Sequence, residues 1–181
     1  MKLPTIMAIC GSTRVASTNL NLIKAISELY QSKLSIKLFE GLSEIPHFNP
    51  DLDNDLPPEA VVDFRHQLMM ADGILICTPE YAMGVPGSLK NAIDWTVSSM
   101  EFSRKPTVLI TASSLGEKGH ASLLETLKII EADINEETQL VISYVKTKVK
   151  STTITDVTTL QEVNKVMEAF VKKIRPNSQP E

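Results

Sequence analysis

Apolar runs of strand length alternate with stretches of helical period along almost the whole chain, and few folds accommodate that alternation. Ile6-Met7-Ala8-Ile9-Cys10, Gly73 to Pro79 and Thr107 to Thr111 read as strands, and the unbroken first run suits burial on both faces. Leu34 to Phe39 alternates with period two, and Leu140 to Val145 completes a set of five strands. Helices are expected over about 18–31, 58–70, 88–97, 121–132 and 159–174. The first carries Leu22, Ile23, Ile26, Leu29 and Tyr30 on one stripe, with Ser17, Thr18 and Asn19 as candidate N-caps. Strands and helices in alternation mean an α/β chain: a doubly wound parallel sheet with helices on both faces.

Composition narrows the functional classes. With 18 basic and 22 acidic residues among 181, the net charge of −4 offers no electrostatic footprint for nucleic acid. No apolar run approaches the ~20 residues of a membrane span, and Met1-Lys2-Leu3-Pro4 lacks the architecture of a signal peptide. At 43% apolar residues the chain reads as one domain over 1–175, followed by a polar tail at 176–181. Two cysteines, Cys10 and Cys77, cannot build a disulfide framework, so a reducing, cytoplasmic setting and a buried reduced pair are expected.

In doubly wound sheets, ligands sit beyond the carboxyl ends of the strands where the winding reverses. That rule directs attention to the loops 11–19, 79–87 and 112–119. The first, Gly11-Ser12-Thr13-Arg14-Val15-Ala16-Ser17-Thr18-Asn19, is hydroxyl-rich, carries one cation and leads into a helix whose unpaired N–H groups suit a phosphate. Other phosphate loops fail on spacing. No lysine is present for a Walker pattern, and Gly11 is the only glycine before Gly41, which excludes the dinucleotide fingerprint. A Cys-x5-Arg nucleophile loop would need arginine at position 16, which is Ala16, so Cys10 reads as a small buried hydrophobe. The second loop, Pro79-Glu80-Tyr81-Ala82-Met83-Gly84-Val85-Pro86-Gly87, joins two prolines and two glycines to an exposed aromatic and a methionine. Such a rigid backbone with apolar bulk suits a flat heteroaromatic ring.

The pattern Gly11-Ser12-x-Arg14-x-x-Ser17-x-Asn19, then Pro79-Glu80-Tyr81-x-x-Gly84-x-Pro86-Gly87-x-Leu89-Lys90-Asn91-Ala92-x-Asp94-Trp95, resembles the NADPH-dependent FMN reductase family, which includes chromate, quinone and azo-compound reductases. Pro46-x-Phe48-Asn49-x-Asp51 also fits, and the resemblance spans about residues 5–120. It implies a flavodoxin-like sheet of order 2-1-3-4-5. It also implies that Ser12, Arg14, Ser17, Thr18 and Asn19 hold the FMN phosphate, that Pro79, Glu80, Tyr81, Ala82, Met83 and Gly84 line the isoalloxazine, and that Ser113 and Gly116 contact the ring. Two departures stand out: Gly119-His120-Ala121-Ser122 where many members carry Gly-Gly-x-Arg, and Ala82 where asparagine is frequent. Relatives commonly dimerise through the helix corresponding to Leu89–Met100, which implies a homodimer or homotetramer.

The activity so implied is transfer of electrons from NADPH or NADH, through FMN, to a small acceptor such as a quinone, azo compound, chromate or free flavin. The cofactor carries such chemistry, so no acid–base dyad is required, and His47, His66 and His120 form no triad or metal set. A flavin-binding electron carrier or sensor is the alternative, against which the lack of a strong acidic docking surface counts. A scaffold that has lost its cofactor is the third.

Overall fold

The computed structural model describes residues 2–174; the polar tail expected at 176–181 lies outside them. Five parallel strands form the sheet: β1 (Thr5–Cys10), β2 (Ser35–Leu38), β3 (Gly73–Thr78), β4 (Thr107–Ala112) and β5 (Gln139–Ile142), in the order β2-β1-β3-β4-β5. The helices are α1 (Thr18–Leu29), α2 (Glu59–Met70), α3 (Gly87–Asp94), α4 (Glu117–Ile129), a single turn α5 (Val145–Lys148) and α6 (Val157–Ile174). The fold class and strand order implied by the sequence are those found.

Strand polarity follows from period-two alternation between two helical layers. Ala8 and Cys10 of β1, Leu75 and Cys77 of β3, and Val108 and Ile110 of β4 face α1 and α6, meeting Leu22, Ile26, Val163, Met167 and Phe170. Met7 and Ile9, Ile74 and Ile76, and Leu109 face α2, α3 and α4, meeting Phe64, Leu68, Ile93, Trp95 and Leu127. The central strands β3 and β4 are buried throughout, whereas the edge strands β2 and β5 are half-buried. Register places Cys10 beside Cys77 and Thr78 beside Thr111, so the carboxyl ends of β1, β3 and β4 finish level. The winding reverses between β1 and β3, which puts the crevice over the two loops that the sequence marks as unusual.

Several features differ from the sequence expectation; the third helix, for one, ends at Asp94 and not near residue 97. The fourth helix begins at Glu117, not near residue 121, so the loop after β4 is only about as long as Ser113 to Gly116. The fifth strand stops at Ile142, three residues before the apolar pattern ends, because Tyr144 turns left-handed at φ 55°. A two-stranded antiparallel hairpin, β6 (Val149–Lys150) with β7 (Thr153–Ile154), follows α5 and was not expected.

The long connection between β2 and α2 is bolted to α3. The Asn91 side chain accepts from the Phe48 N–H (2.7 Å) and donates to the Pro46 carbonyl (2.9 Å), which the Trp95 indole N–H also reaches (2.9 Å). Phe48 meets Trp95 edge-on with ring centroids 5.1 Å apart. Arg65 of α2 pairs with Asp53 (2.7 Å) and donates to the Trp95 carbonyl, joining the same loop to α2. The two distant motifs Pro46-x-Phe48-Asn49 and Asn91-Ala92-x-Asp94-Trp95 are therefore one packing unit.

Candidate functional site

The turn after β1 prepares an anion site through its backbone. Ser17 caps α1, its hydroxyl accepting from the Leu20 N–H (3.3 Å). Among the described residues, no backbone N–H from Ser12 to Ser17 donates to a protein acceptor. That row of free donors lies at the positive end of a 12-residue helix. Beneath it the Cys10 thiol donates to the Ser12 carbonyl (3.3 Å), and burial pushes the thiol's pKa up; Cys77 lies fully buried beside it, pushed further. Both thiols are free and stay protonated at neutral pH, as expected of structural cysteines.

The second loop owes its shape to two residues that are not glycine. Tyr81 and Gly84 exchange backbone hydrogen bonds (3.0 and 2.9 Å), and between them Ala82 (φ 49°) and Met83 (φ 62°) are both left-handed. This is a two-residue turn of the primed type, which ordinarily takes Asn-Gly. The strain thus sits at Ala82-Met83 and not at the flanking glycines or prolines. Tyr81 is 47% exposed, and its hydroxyl lies 3.3 Å from the Ser12 hydroxyl, spanning the crevice between the first two loops.

Glu80 fastens the second loop to the third. Its carboxylate accepts from the Gly119 N–H (2.7 Å) and the Gly116 N–H (3.3 Å), while the Ser113 hydroxyl donates to its carbonyl (3.3 Å). Gly116, the residue preceding α4, has no side chain to cap the helix, so Glu80 supplies the cap from the neighbouring loop. A Cβ on Gly119 would stand 3.0 Å from the Gly84 carbonyl and 3.1 Å from Glu80 Cγ, so a larger residue would force the turn or Glu80 to give by a few tenths of an ångström. That contact gives Gly119 a role in the segment where the sequence departs from the family pattern. The adjacent His120 is buried: its Nδ1 lies 2.9 Å from the Thr111 hydroxyl and its Nε2 3.0 Å from Gln139 Oε1, and burial lowers its pKa. Burial favours the neutral ring, and the Gln139 oxygen, which can only accept, places its proton on Nε2. Among the described residues there is no cluster of His, Cys, Asp and Glu able to hold a metal ion.

Together these loops enclose a cleft of about 410 Å³. Of the residues singled out in the sequence, Ser12, Arg14, Ser17, Thr18, Asn19, Pro79, Glu80, Tyr81 and Ser113 line it. Ala82, Met83, Gly84 and Gly116 do not: the first three form the turn beyond Tyr81, and Gly116 sits behind the Glu80 carboxylate. Asn19 is 96% buried, donates through Nδ2 to the Ala112 carbonyl (3.0 Å), and leaves Oδ1 without a hydrogen-bond partner. The far wall, Tyr144, Val145, Lys146 and Thr147, lies outside the three loops that the sequence marks. The rule about strand carboxyl ends applies to β5 as well, and Lys146 follows that strand closely.

The family profile described as NADPH-dependent FMN reductase matches residues 4–146. A quinone reductase of Pseudomonas putida is 38% identical over 114 residues, a stretch covering 60% of this chain and 60% of that protein. The chain thus matches about 60% of the length of that relative. A quinone reductase of Escherichia coli is 29% identical over 174 residues, covering 91% of this chain and 92% of its own. Among solved structures, FerB, a flavoenzyme NAD(P)H:(acceptor) oxidoreductase from Paracoccus denitrificans, superposes with a TM-score of 0.84 at 26% identity, covering 96% of this chain and 98% of that one.

Proposed function

This chain belongs to the NADPH-dependent FMN reductase family, and from that premise we propose that it is an FMN-dependent NAD(P)H oxidoreductase acting on quinone-type and similar small acceptors. The observation that carries this reading is the cleft at the winding reversal, where a turn rich in free N–H groups faces the Pro79–Gly84 loop across about 410 Å³. That volume lies within the range of small-molecule and cofactor sites.

The residues present fit FMN. The N–H groups of the first turn, with Arg14 and the Ser12, Ser17 and Thr18 hydroxyls, would hold the phosphate. The unpartnered Asn19 Oδ1 would accept from a hydroxyl of the ribityl chain, removing the cost of a buried acceptor left unsatisfied. Pro79, Tyr81 and the adjoining turn would support the ring, with Ser113 holding the Glu80 carbonyl in place. Bound there, FMN supplies two-electron exchange between a reduced nicotinamide and an acceptor. The protein's part is orientation: Glu80 fixes the ring loop against α4, and the Ala82-Met83 turn sets the angle at which that loop meets the cleft.

A homodimer or homotetramer fits the surface. Val62 and Met69 lie on one exposed face of α2, and Val97 and Met100 are exposed in the turns after α3 that Arg65 joins to α2. The pair of buried free thiols supports a reducing, cytoplasmic setting. No helix among the described residues is long and apolar enough to cross a membrane.

The test is spectroscopic. Protein loaded with FMN should bleach anaerobically on adding NADPH or NADH and recover its yellow colour on adding a benzoquinone. Yellow protein that never bleaches would select the electron-carrier alternative, and protein that rejects FMN would overturn the reading.

A further inference from the structure

The wall of the cleft contributed after β5 has no place in the flavin-binding pattern carried by the three loops, yet it is held as firmly as they are. The Tyr144 N–H donates to the Ser114 carbonyl and the Val145 N–H to the Ser113 carbonyl (both 3.1 Å), while the Ser143 hydroxyl donates to the Leu115 carbonyl (2.9 Å). Tyr144 is left-handed at φ 55° and 64% exposed, a conformation that residues other than glycine and asparagine rarely adopt. Strain of this kind persists where the surroundings over-determine it. Here its effect is to end β5 and bring Lys146 to the cleft wall.

The charges of the cleft are unbalanced in one direction. Arg14 and Lys146 both line it, and among the described residues neither has an ion-pair partner. Glu80 is the single acidic side chain in the lining, and both its oxygens are taken by the N–H groups of Gly116 and Gly119. The buried Asn19 Oδ1 in the same cleft lacks a donor, which points to a ligand that carries a hydroxyl near its anionic group.

Resting on the FMN reading above, we propose that Lys146 is a phosphate-monoester ligand that acts with Arg14 as a two-cation clamp on the cleft. Two ligands of the reaction carry that group, the 5′-phosphate of FMN and the 2′-phosphate of NADPH. The FMN phosphate is the occupant the geometry favours, because Arg14 and Asn19 share the cleft with Lys146.

Flavin fluorescence titration of the full chain separates the possibilities, with FMN and riboflavin as probes. Lys146→Gln should raise the Kd for FMN about tenfold, the loss of roughly 1.4 kcal/mol, and leave riboflavin unchanged. Lys146→Arg should restore FMN binding to within about threefold, since it keeps the charge. Lys150→Gln, an equal change of net charge on β6 outside the cleft lining, should alter FMN binding less than about twofold. An unchanged FMN Kd with a roughly tenfold higher KM for NADPH, but not for NADH, would support the clamp with the nicotinamide coenzyme as its source. Equal weakening of riboflavin and FMN, or no effect on either phosphate, would overturn the assignment of Lys146 alone. Wild-type protein that binds FMN no more tightly than riboflavin would overturn the phosphate reading of the cleft as a whole.

Discussion

Replacing Glu80 tests how the ring loop is held. Its carboxylate makes one short hydrogen bond to the Gly119 N–H (2.7 Å) and one long bond to the Gly116 N–H (3.3 Å). A hydrogen bond to a charged group contributes about 1.5–3 kcal/mol, and a carboxylate at a helix N-terminus adds about 0.3–1 kcal/mol at the surface. Glu80 is half-buried, so water would partly satisfy the freed amides, and the net cost of Glu80→Ala is about 2 kcal/mol. For a chain of this size each kcal/mol moves Tm by about 2–4 °C, which predicts a fall of roughly 4–8 °C in FMN-free protein. Glu80→Gln keeps an acceptor oxygen but loses the charge, and should cost about 1 kcal/mol. Thermal melts read the stability, and amide exchange reads the cause, because Gly119 should lose protection while amides in β3 and β4 keep theirs. FMN affinity should fall in the same order, with alanine worse than glutamine. Glu80→Ala melting within 1 °C of wild type, with Gly119 still protected, would refute the account of the clamp.

Ala82→Asn should stabilise the FMN-free protein by about 1 kcal/mol, because asparagine tolerates the left-handed backbone that Ala82 adopts at φ 49°; a Tm increase of roughly 2–4 °C would show it. Lys105 donates to the Leu68, Met69 and Ala71 carbonyls at the end of α2 (2.6, 3.0 and 2.8 Å), so Lys105→Met should cost about 2–3 kcal/mol in urea melts. His120 is buried neutral with its pKa below the ordinary value of about 6.5, so the unfolded chain binds more protons as the solution is acidified. Its contribution to stability is present above that value and is lost as pH falls below it. Urea melts from pH 7.5 to 5 should therefore show a decline that is shallower in His120→Gln.

Much of the architecture is legible in the chain because its determinants are local. Ile6–Cys10, Gly73–Thr78 and Thr107–Ala112 are apolar enough to be recognised as central strands without reference to their neighbours, and Ser17 marks the start of α1 through its own cap. The errors fall where the determinant is distant. Glu117-Lys118-Gly119 looks like loop because its helix cap is Glu80, in another loop. The end of β5 is hidden because Val145 prolongs the apolar pattern while Tyr144, with no glycine to signal it, turns left-handed. The same turn hid Lys146, so three loops of the site could be read from sequence and the fourth could not.

In the proposed complex, one crevice takes the anionic tail of FMN at the turn after β1 and its ring at the Tyr81 loop. A crystal structure of the protein grown with FMN measures this directly. The expected result is phosphate density within hydrogen-bonding distance of the N–H groups between Ser12 and Asn19, a ribityl hydroxyl on Asn19 Oδ1, and the ring against Pro79 and Tyr81. Flavin bound elsewhere, or Tyr81 and Tyr144 filling the crevice in the presence of saturating FMN, would contradict it.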